Sequence, residues 1–585
     1  MSHPRFIALI RSSPTACEHP TRQFENTMQQ AADMKIVLEH GRVTIAASAG
    51  AVLRIGPYGI VAGSIFKRGQ HQKILRFGEA EQERIIISDG AHLIEDYWGP
   101  YVALLVSPDG HETHIIRAPL GELPCCIVKR DGATIVASDI ALLVQFSFYV
   151  PTISWPHVAR HLATRDLRTG TTCLSDIREL QGGQRLRLQD GLPSIDEIWS
   201  PWSFADTQRQ IGQRDIAIRS VREIVRECVA ARASEFASVV LMLSGGIDSS
   251  IVAAGLAHAR TTTHALALTT HDPIGDEGAY ARAVGEALRI PVREALREVA
   301  GIDVRTSGAA RLPRPTVRLF LQESNRLAHG LARDAGARAI FNGGGGDNVF
   351  CSLQSSGPAA DRLLTHGPGL GFLKTAREIS DLASASLPAI IIDAVRRAWL
   401  GKPLSKPAYD TSFLTPAAVH DMAPLEDHPW LVLQPDALPG KSMQVRLIAY
   451  AQSYVESLDP QNDLTIIVPL LAQPVVETCL KIPTWLWIEE GRNRVIARAA
   501  FADVLPASVT QRRSKGTPDS FVAEIFEAHR RAMRELLADG LLVENRIIDR
   551  DAVLAVIDNP RPAKGDGFRR VLEFVDVEVW ARCWS

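Results

Sequence analysis

The chain has 585 residues, of which 46% are apolar and 22% are charged, and its formal net charge at pH 7 is −2. This length allows two or more domains that each bury a core, and the near-neutral charge argues against nucleic acid or an anionic membrane as the main partner. Eight cysteines without a Cys-x-x-Cys pair, no apolar run of about 18 residues and no signal peptide predict a reduced, cytoplasmic protein outside any membrane.

The N-terminal part, residues 1–205, is predicted to be a mostly β or α+β sandwich domain. Short apolar runs alternate with turns rich in Gly, Pro and Asp, which is typical of strands in such folds. The predicted strands are 6–10, 43–47, 60–66, 101–106, 113–116 and 134–137.

The second part, residues 206–585, is predicted to be an α/β domain. Strands at 238–243, 264–268 and 338–341 alternate with helices at 277–288 and 322–335. This alternation indicates a parallel sheet with helices on both faces. Helical patterns dominate from residue 361 onward, and the proline-dotted stretch 403–439 is predicted to be a mobile connection or a lid.

The most informative motif is Ser-Gly-Gly-Ile-Asp-Ser, which follows the first strand of this second part. Gly245 and Gly246 let the backbone approach an anion, and N–H groups at a helix N-terminus bind pyrophosphate. Ser244 and Ser249 add hydroxyl donors. Asp248 repels phosphate, so its predicted role is to hold Mg²⁺. The motif differs from the Gly-Lys loop of phosphoryl transfer and resembles the pyrophosphate loop of ATP-pyrophosphatases. The structural alternative is an ordinary strand–turn–helix corner.

Two later segments are predicted to complete this site. Four glycines, the last of them Gly346, precede Asp347 after the strand that ends at Phe341. Asp347 is predicted to bind the same Mg²⁺, and Gly346 to contact the pyrophosphate; the alternative is a flexible loop. Lys515 lies in a basic segment after Arg512 and is predicted to neutralise charge on the adenylate, the tetrahedral intermediate or the leaving phosphate. The alternative is a solvated surface patch.

Together these motifs resemble the asparagine synthetase superfamily over nearly the whole chain. The stretches 97–101, 117–124 and 137–140 resemble that family's glutamine-amidotransferase (Ntn-type) domain, and 469–477 and 491–498 resemble later synthetase segments. The resemblance implies an ATP-pyrophosphatase domain that uses ATP and Mg²⁺ to adenylate a carboxyl group, releasing AMP and pyrophosphate.

The departures from the family pattern narrow the function. A working glutaminase has an N-terminal nucleophilic cysteine, but position 2 here is Ser2. A serine could replace that nucleophile in principle, but the start of the first strand places the nucleophile nearer Pro4 than Ser2. The stretch 62–67 lacks the polar groups that hold the glutamine amide. The amidotransferase-like domain is therefore expected to be degenerate and to make no ammonia. Gly344 stands where asparagine synthetases have glutamate and β-lactam synthetases have tyrosine, and Asn348 replaces an acid. Both changes favour a larger substrate that carries its own amine.

This combination resembles the lasso peptide cyclases, which are macrolactam synthetases. The resemblance implies a precursor peptide whose Asp or Glu side chain is adenylated and then joined to its N-terminal amine, with a leader peptidase and a leader-binding protein as partners. A small-molecule amide synthetase (asparagine-forming from ammonia, or β-lactam-forming) and an inactive ATP- or peptide-binding scaffold remain as alternatives. No general base is evident; Glu323 and Glu378 are weak candidates that better suit ordinary helix-surface acids.

Overall fold

The computed structural model describes residues 4–12, 18–31, 33–50, 52–164, 167–189, 192–271, 277–400, 409–432, 434–456, 463–513 and 519–585. The N-terminal part contains the strands β1 (Phe6–Arg11), β2 (Met34–His40), β3 (Val43–Ser48), β4 (Val52–Ile55), β5 (Gly59–Gly63), β6 (Phe66–Lys67), β7 (Tyr97–Trp98), β8 (Tyr101–Val106), β9 (Glu112–Arg117), β10 (Cys126–Arg130), β11 (Ala133–Ala137), β12 (Arg178–Glu179), β13 (Gln184–Gln189) and β14 (Leu192–Glu197). Its helices are α1 (Glu18–Gln30), α2 (Glu79–Ile87), α3 (Ala91–Asp96), α4 (Ile140–Gln145) and α5 (Trp155–Thr164).

The longer strands of this part form two antiparallel six-stranded sheets, ordered β12-β10-β11-β1-β3-β2 and β14-β13-β9-β8-β5-β4. The two sheets stack because alternate residues of their strands are apolar. In β1, Phe6, Ala8 and Ile10 lie in the core between the sheets. Ile7 and Leu9 face the opposite way, into a second core that includes residues of α4 and α5. The predicted β-sandwich is confirmed.

The second part begins with α6 (Arg214–Ala233) and contains the strands β15 (Ser238–Met242), β16 (Thr262–Thr269), β17 (Val292–Leu296), β18 (Ala339–Phe341), β19 (Thr465–Ile467), β20 (Ile488–Glu489) and β21 (Arg492–Asn493). Its other helices are α7 (Ile247–Ala259), α8 (Gly278–Leu288), α9 (Leu321–Asp334), α10 (Gly346–Val349), α11 (Gly357–His366), α12 (Leu370–Ala383), α13 (Leu387–Trp399), α14 (Pro416–His420), α15 (Pro439–Val455), α16 (Gln473–Leu480), α17 (Val495–Ala500), α18 (Ala507–Thr510), α19 (Asp519–Ala538), α20 (Leu541–Glu544), α21 (Arg550–Ile557) and α22 (Gly567–Arg582).

Five strands of this part form the predicted parallel sheet, in the order β17-β16-β15-β18-β19. The central strand β15 is buried on both faces because Val239 and Leu241 join the core that includes α6 and α7, whereas Val240 joins the core that includes α9. The helical character predicted after residue 361 is also present. The domain boundary at residues 205 and 206 stays a prediction, although it falls in the connection between β14 and α6.

Three local features differ from the sequence predictions. The run 60–66 is not one strand, since the chain turns at Gly63, whose φ of +114° suits glycine. The strands β17 and β19 were not predicted, because one carries charged side chains at a sheet edge and the other has only three residues. Among the described residues, no helix combines the length and apolarity needed to cross a membrane.

The described residues of the proline-dotted segment pack against the N-terminal part and against the chain between α20 and α21, and none of them lines the site. Asp410 N–H donates to the Ala163 carbonyl at 2.8 Å, and Ala423 N–H donates to the Pro156 carbonyl at 3.1 Å. Trp430 is 2% exposed. Residues 403–408 and 433 of this segment lie outside the described part of the chain.

Candidate nucleotide-binding site

A cleft of about 320 Å³ lies at the carboxyl ends of β15 and β18. From β15 the sheet extends through β16 and β17 on one side and through β18 and β19 on the other. Such a reversal of strand order leaves a crevice between the loops that follow the two central strands, and ligands of α/β sheets bind there. Both glycine loops singled out in the sequence line this cleft.

The first loop runs from the end of β15 into α7, which begins at Ile247. Gly245 has a φ of +69°, and a Cβ at this position would lie 2.5 Å from the Tyr280 Cβ, so the turn requires glycine. The hydroxyls of Ser244 and Ser249 lie 3.1 Å apart, and Gly246 N–H donates to the Ser244 hydroxyl at 3.3 Å. The positive end of a 13-residue helix therefore faces the cleft, which favours an anion.

The second loop lies directly against the first. A Cβ at Gly343 would lie 2.5 Å from the Ser249 nitrogen, and a Cβ at Gly346 would lie 2.5 Å from the Asp248 Cγ. Both positions are therefore restricted to glycine by close approach rather than by loop flexibility. Since α10 begins at Gly346, Asp347 lies in its first turn and next to Asp248.

The two predicted metal ligands, Asp248 and Asp347, contact the same atom of Arg494. Nη1 of Arg494 lies 2.6 Å from Oδ2 of Asp248 and 2.6 Å from Oδ1 of Asp347. The Asp248 side chain is 13% exposed and the Asp347 side chain is 40% exposed, so the pair faces the cleft from a partly buried position. A single positive group reaches both carboxylates.

This arrangement fits Mg²⁺. The guanidinium nitrogen shows that one cation can contact both aspartates, and Mg²⁺ in nucleotide sites takes one or two carboxylates together with phosphate oxygens. Within the described ranges, no cluster of three or more His, Cys, Asp or Glu residues suits a metal. Asp248 and Asp347 would be protein ligands of the ion, and phosphate oxygens of the substrate would supply further ligands.

Four charged residues of the cleft were not assigned a role from the sequence. Glu277 and Arg512 form an ion pair at 2.9 Å. Arg498 donates to the Thr510 carbonyl at 2.8 Å and so ties α17 to the end of α18; burial and the neighbouring Arg494 lower its pKa to about 10. The signal available in the sequence was the spacing of Arg494 and Arg498 in the segment 491–498.

The sequence model of the asparagine synthase family matches residues 220–582, which is more than half of the chain. The chain belongs to the asparagine synthase family. This membership supports an ATP-dependent amide-forming ligase in general. A comparison with curated protein sequences gives no match.

Two solved structures show a distant similarity. The allosteric regulatory enzyme of purine biosynthesis is 11% identical, with 50% of this chain and 80% of that chain covered and a TM-score of 0.22. Glutamine phosphoribosylpyrophosphate amidotransferase from B. subtilis, complexed with ADP and GMP, is 12% identical, with 69% of this chain and 97% of that chain covered and a TM-score of 0.20.

The remaining predicted site residues are placed less completely. Lys515 lies outside the described residues, although Arg512 of the same segment lines the cleft. Neither weak candidate for the general base lines the cleft: Glu323 is fully buried and pairs with Arg326, and Glu378 accepts a hydrogen bond from Gly491 N–H at 2.8 Å. Glu323 is therefore not a helix-surface acid.

The position of Gly344 is more confined than its missing side chain suggests. Its N–H donates to Asn342 Oδ1 at 2.8 Å. A Cβ there would lie 2.8 Å from that oxygen and 3.2 Å from Val468 Cγ1. Asn348 points away from the cleft and donates to the Leu447 carbonyl at 2.8 Å. Gly344 therefore lines the cleft without contributing a titratable group, and Asn342 fills part of the space that a side chain at position 344 would occupy.

In the N-terminal part, the segment that resembles a glutamine-binding strand is used for internal contacts. The Ser64 hydroxyl donates to Glu235 at 2.5 Å, and the Lys67 ammonium lies 2.6 Å from Glu81. Ser2 lies outside the described residues. Burial raises the pKa of each of the seven described cysteines, so none of these thiols is activated as a nucleophile.

Proposed function

We propose that this protein is a peptide macrolactam synthetase of the lasso cyclase type. An Asp or Glu carboxylate of a precursor peptide attacks the α-phosphorus of ATP, and pyrophosphate leaves. The peptide's N-terminal amine then attacks the acyl carbon, loses a proton, and AMP leaves with the electrons of the acyl–oxygen bond. The product is an isopeptide ring, and the peptide is lighter by one water.

The observation that carries this proposal is the contrast between the two parts of the chain. The cleft has two glycine loops in contact and two aspartates that contact the same guanidinium nitrogen. In the N-terminal part, no described thiol is activated, and Ser64 and Lys67 of the segment that resembles a glutamine-binding strand are paired with glutamates of the protein itself. An amide-forming ligase whose amidotransferase part generates no ammonia requires an amine from elsewhere, and a peptide N-terminus supplies one.

Gly344 supports a large substrate over a small one. It lines the cleft at the position where the resembled asparagine and β-lactam synthetases carry glutamate and tyrosine, and it contributes neither a carboxylate nor a phenol. The reactivity must then come from how the substrate is held. A peptide folded with its amine beside the activated carboxyl gains up to about 7–11 kcal/mol through effective molarity.

The residues of the cleft have separate proposed roles. Ser244, Gly245, Gly246 and Ser249, with Gly346, bind the pyrophosphate part of ATP through N–H and hydroxyl donors. Asp248 and Asp347 would hold Mg²⁺, which neutralises the charge of the triphosphate. Lys515 would balance the negative charge of the reacting centre.

Pyrophosphate release with Mg-ATP tests this function. The full chain is incubated either with the precursor peptide encoded beside its gene, together with the leader peptidase and leader-binding protein, or with aspartate and ammonium. Peptide-dependent release together with a peptide lighter by one water supports the proposal. Release with aspartate and ammonium alone would establish a small-molecule amide synthetase, and no release in either case would favour an inactive scaffold.

A further inference from the structure

Arg494 lies at the junction between β21 and α17, and its side chain turns inward. It is 9% exposed at the side chain and has a φ of +56°, a left-handed conformation that residues with a Cβ adopt only at a cost. Nη1 donates to both aspartates at 2.6 Å, and Nε donates to Asn493 Oδ1 at 3.3 Å. Strained backbone at a ligand site is a reason to seek a function for the residue that carries it.

The guanidinium and a divalent cation compete for the position between the two aspartates, because each would approach the same carboxylate oxygens. Mg²⁺ requires oxygen ligands at about 2.0–2.1 Å, and Nη1 of Arg494 already lies 2.6 Å from Oδ2 of Asp248 and Oδ1 of Asp347. Arginine cannot leave by losing its proton, because its guanidinium stays charged at any physiological pH. It can leave only by moving.

We propose that Arg494 is a resident cation that holds Asp248 and Asp347 together in the nucleotide-free enzyme and must be displaced before a divalent cation binds. This inference rests on the proposed function of the cleft as a Mg²⁺·ATP site. A free metal ion must compete with two charge-assisted hydrogen bonds. A triphosphate removes this competition, since its oxygens accept from a guanidinium at least as well as carboxylates do. Metal therefore enters with nucleotide and binds weakly without it.

The test is Mn²⁺ binding to the full chain without nucleotide, measured by electron paramagnetic resonance of the free ion. Arg494→Gln is expected to bind Mn²⁺ about tenfold or more tightly than the wild type, because the two carboxylates lose their resident cation. Arg494→Ala serves as a second variant if the first does not fold, and thermal unfolding monitors both.

Arg512→Ala is the matched control, because it removes the same charge from the same cleft but Arg512 pairs with Glu277 instead of the two aspartates. Its Mn²⁺ affinity is expected to stay close to that of the wild type. An equal gain in the Arg512 and Arg494 variants would mean that only the general field of the cleft had changed, and this would overturn the inference.

A double variant locates the metal. Adding Asp347→Asn to Arg494→Gln is expected to abolish the gain in Mn²⁺ affinity. A gain that survives in the double variant, or an Arg494→Gln protein that binds Mn²⁺ like the wild type, would refute the role of Arg494. If the gain is seen as expected but no substrate elicits pyrophosphate release, the proposed function fails while the inference about Arg494 stands.

Discussion

The guanidinium of Arg117 lies 2.9 Å from the carboxylate of Glu456, and both side chains are almost completely buried. Arg117 ends β9 of the N-terminal part, whereas Glu456 follows α15 of the second part. Glu456 also lies 3.2 Å from Arg168, which pairs with Glu179 at 2.6 Å. A turn that resembles part of an amidotransferase domain thus anchors the two parts of the chain to each other.

Replacing Glu456 with glutamine is expected to lower the free energy of unfolding by about 3–5 kcal/mol, because Arg117 and Arg168 lose a buried countercharge. Urea denaturation of the two proteins measures the difference. Glu527→Gln is the matched control, since Glu527 is 42% exposed and pairs with Arg530 at the surface; its expected effect is below about 1 kcal/mol. Equal effects in the two variants would show that the buried pair does not hold the parts together.

A buried histidine makes stability depend on pH. Burial lowers the pKa of His428 from 6.5 to about 4, and its Nδ1 accepts a hydrogen bond from Trp430 N–H at 3.1 Å. Because the folded-state pKa is depressed, the stabilisation is complete above pH 6.5. It is lost as the pH falls from 6.5 through 4, because in this range the unfolded chain binds the proton more readily than the folded chain. The expected loss is about 3 kcal/mol.

The measurement compares the wild type with His428→Asn, whose side-chain oxygen can still accept from Trp430 N–H. Urea denaturation at pH 7, 5.5 and about 4 should show a steeper loss of stability in the wild type than in the variant. Parallel pH profiles for the two proteins would mean that His428 does not carry this dependence.

The parts of the fold and site that the sequence predicts are those encoded locally. The strand before Ser244 leads directly into the glycines beside Asp248, and a second run of glycines directly precedes Asp347. The periodicity and the turn chemistry of each motif are therefore visible within a short stretch of sequence. Arg494 was not assigned because its contact with the two aspartates depends on the packing of α17 against α6 and on the path of the chain between β21 and α17. Ion pairs between distant segments, such as that of Arg117 and Glu456, leave no local pattern.

The contact between the two glycine loops predicts a steric effect of a single methyl group. Gly343→Ala places a Cβ 2.5 Å from the Ser249 nitrogen, and crowding of this kind costs about 1–3 kcal/mol. Because the displaced atom belongs to the loop proposed to bind pyrophosphate, pyrophosphate release should fall together with stability.

Gly330→Ala is the matched control for this change. Gly330 lies in α9, and a Cβ there meets no atom within 4 Å, so alanine is expected to raise stability by about 0.5–1 kcal/mol through its higher helix propensity. Thermal denaturation of both variants measures the contrast. A Gly343→Ala protein with wild-type activity and stability would show that the loops are not in close contact.

The two aspartates are predicted to be equally necessary for catalysis but unequal for stability. Asp248→Ala and Asp347→Asn should each reduce ATP-dependent pyrophosphate release by at least about 100-fold, because each removes a carboxylate that would hold the nucleotide's cation. Asp347→Asn should fold like the wild type, since its side chain is 40% exposed, whereas Asp248 is 13% exposed and its loss leaves Arg494 with one carboxylate fewer in a buried position. Pyrophosphate release and circular dichroism, with the 91% exposed Asp551→Asn as control, separate the two effects. Turnover retained in Asp347→Asn would contradict the assignment of this pair as the metal ligands.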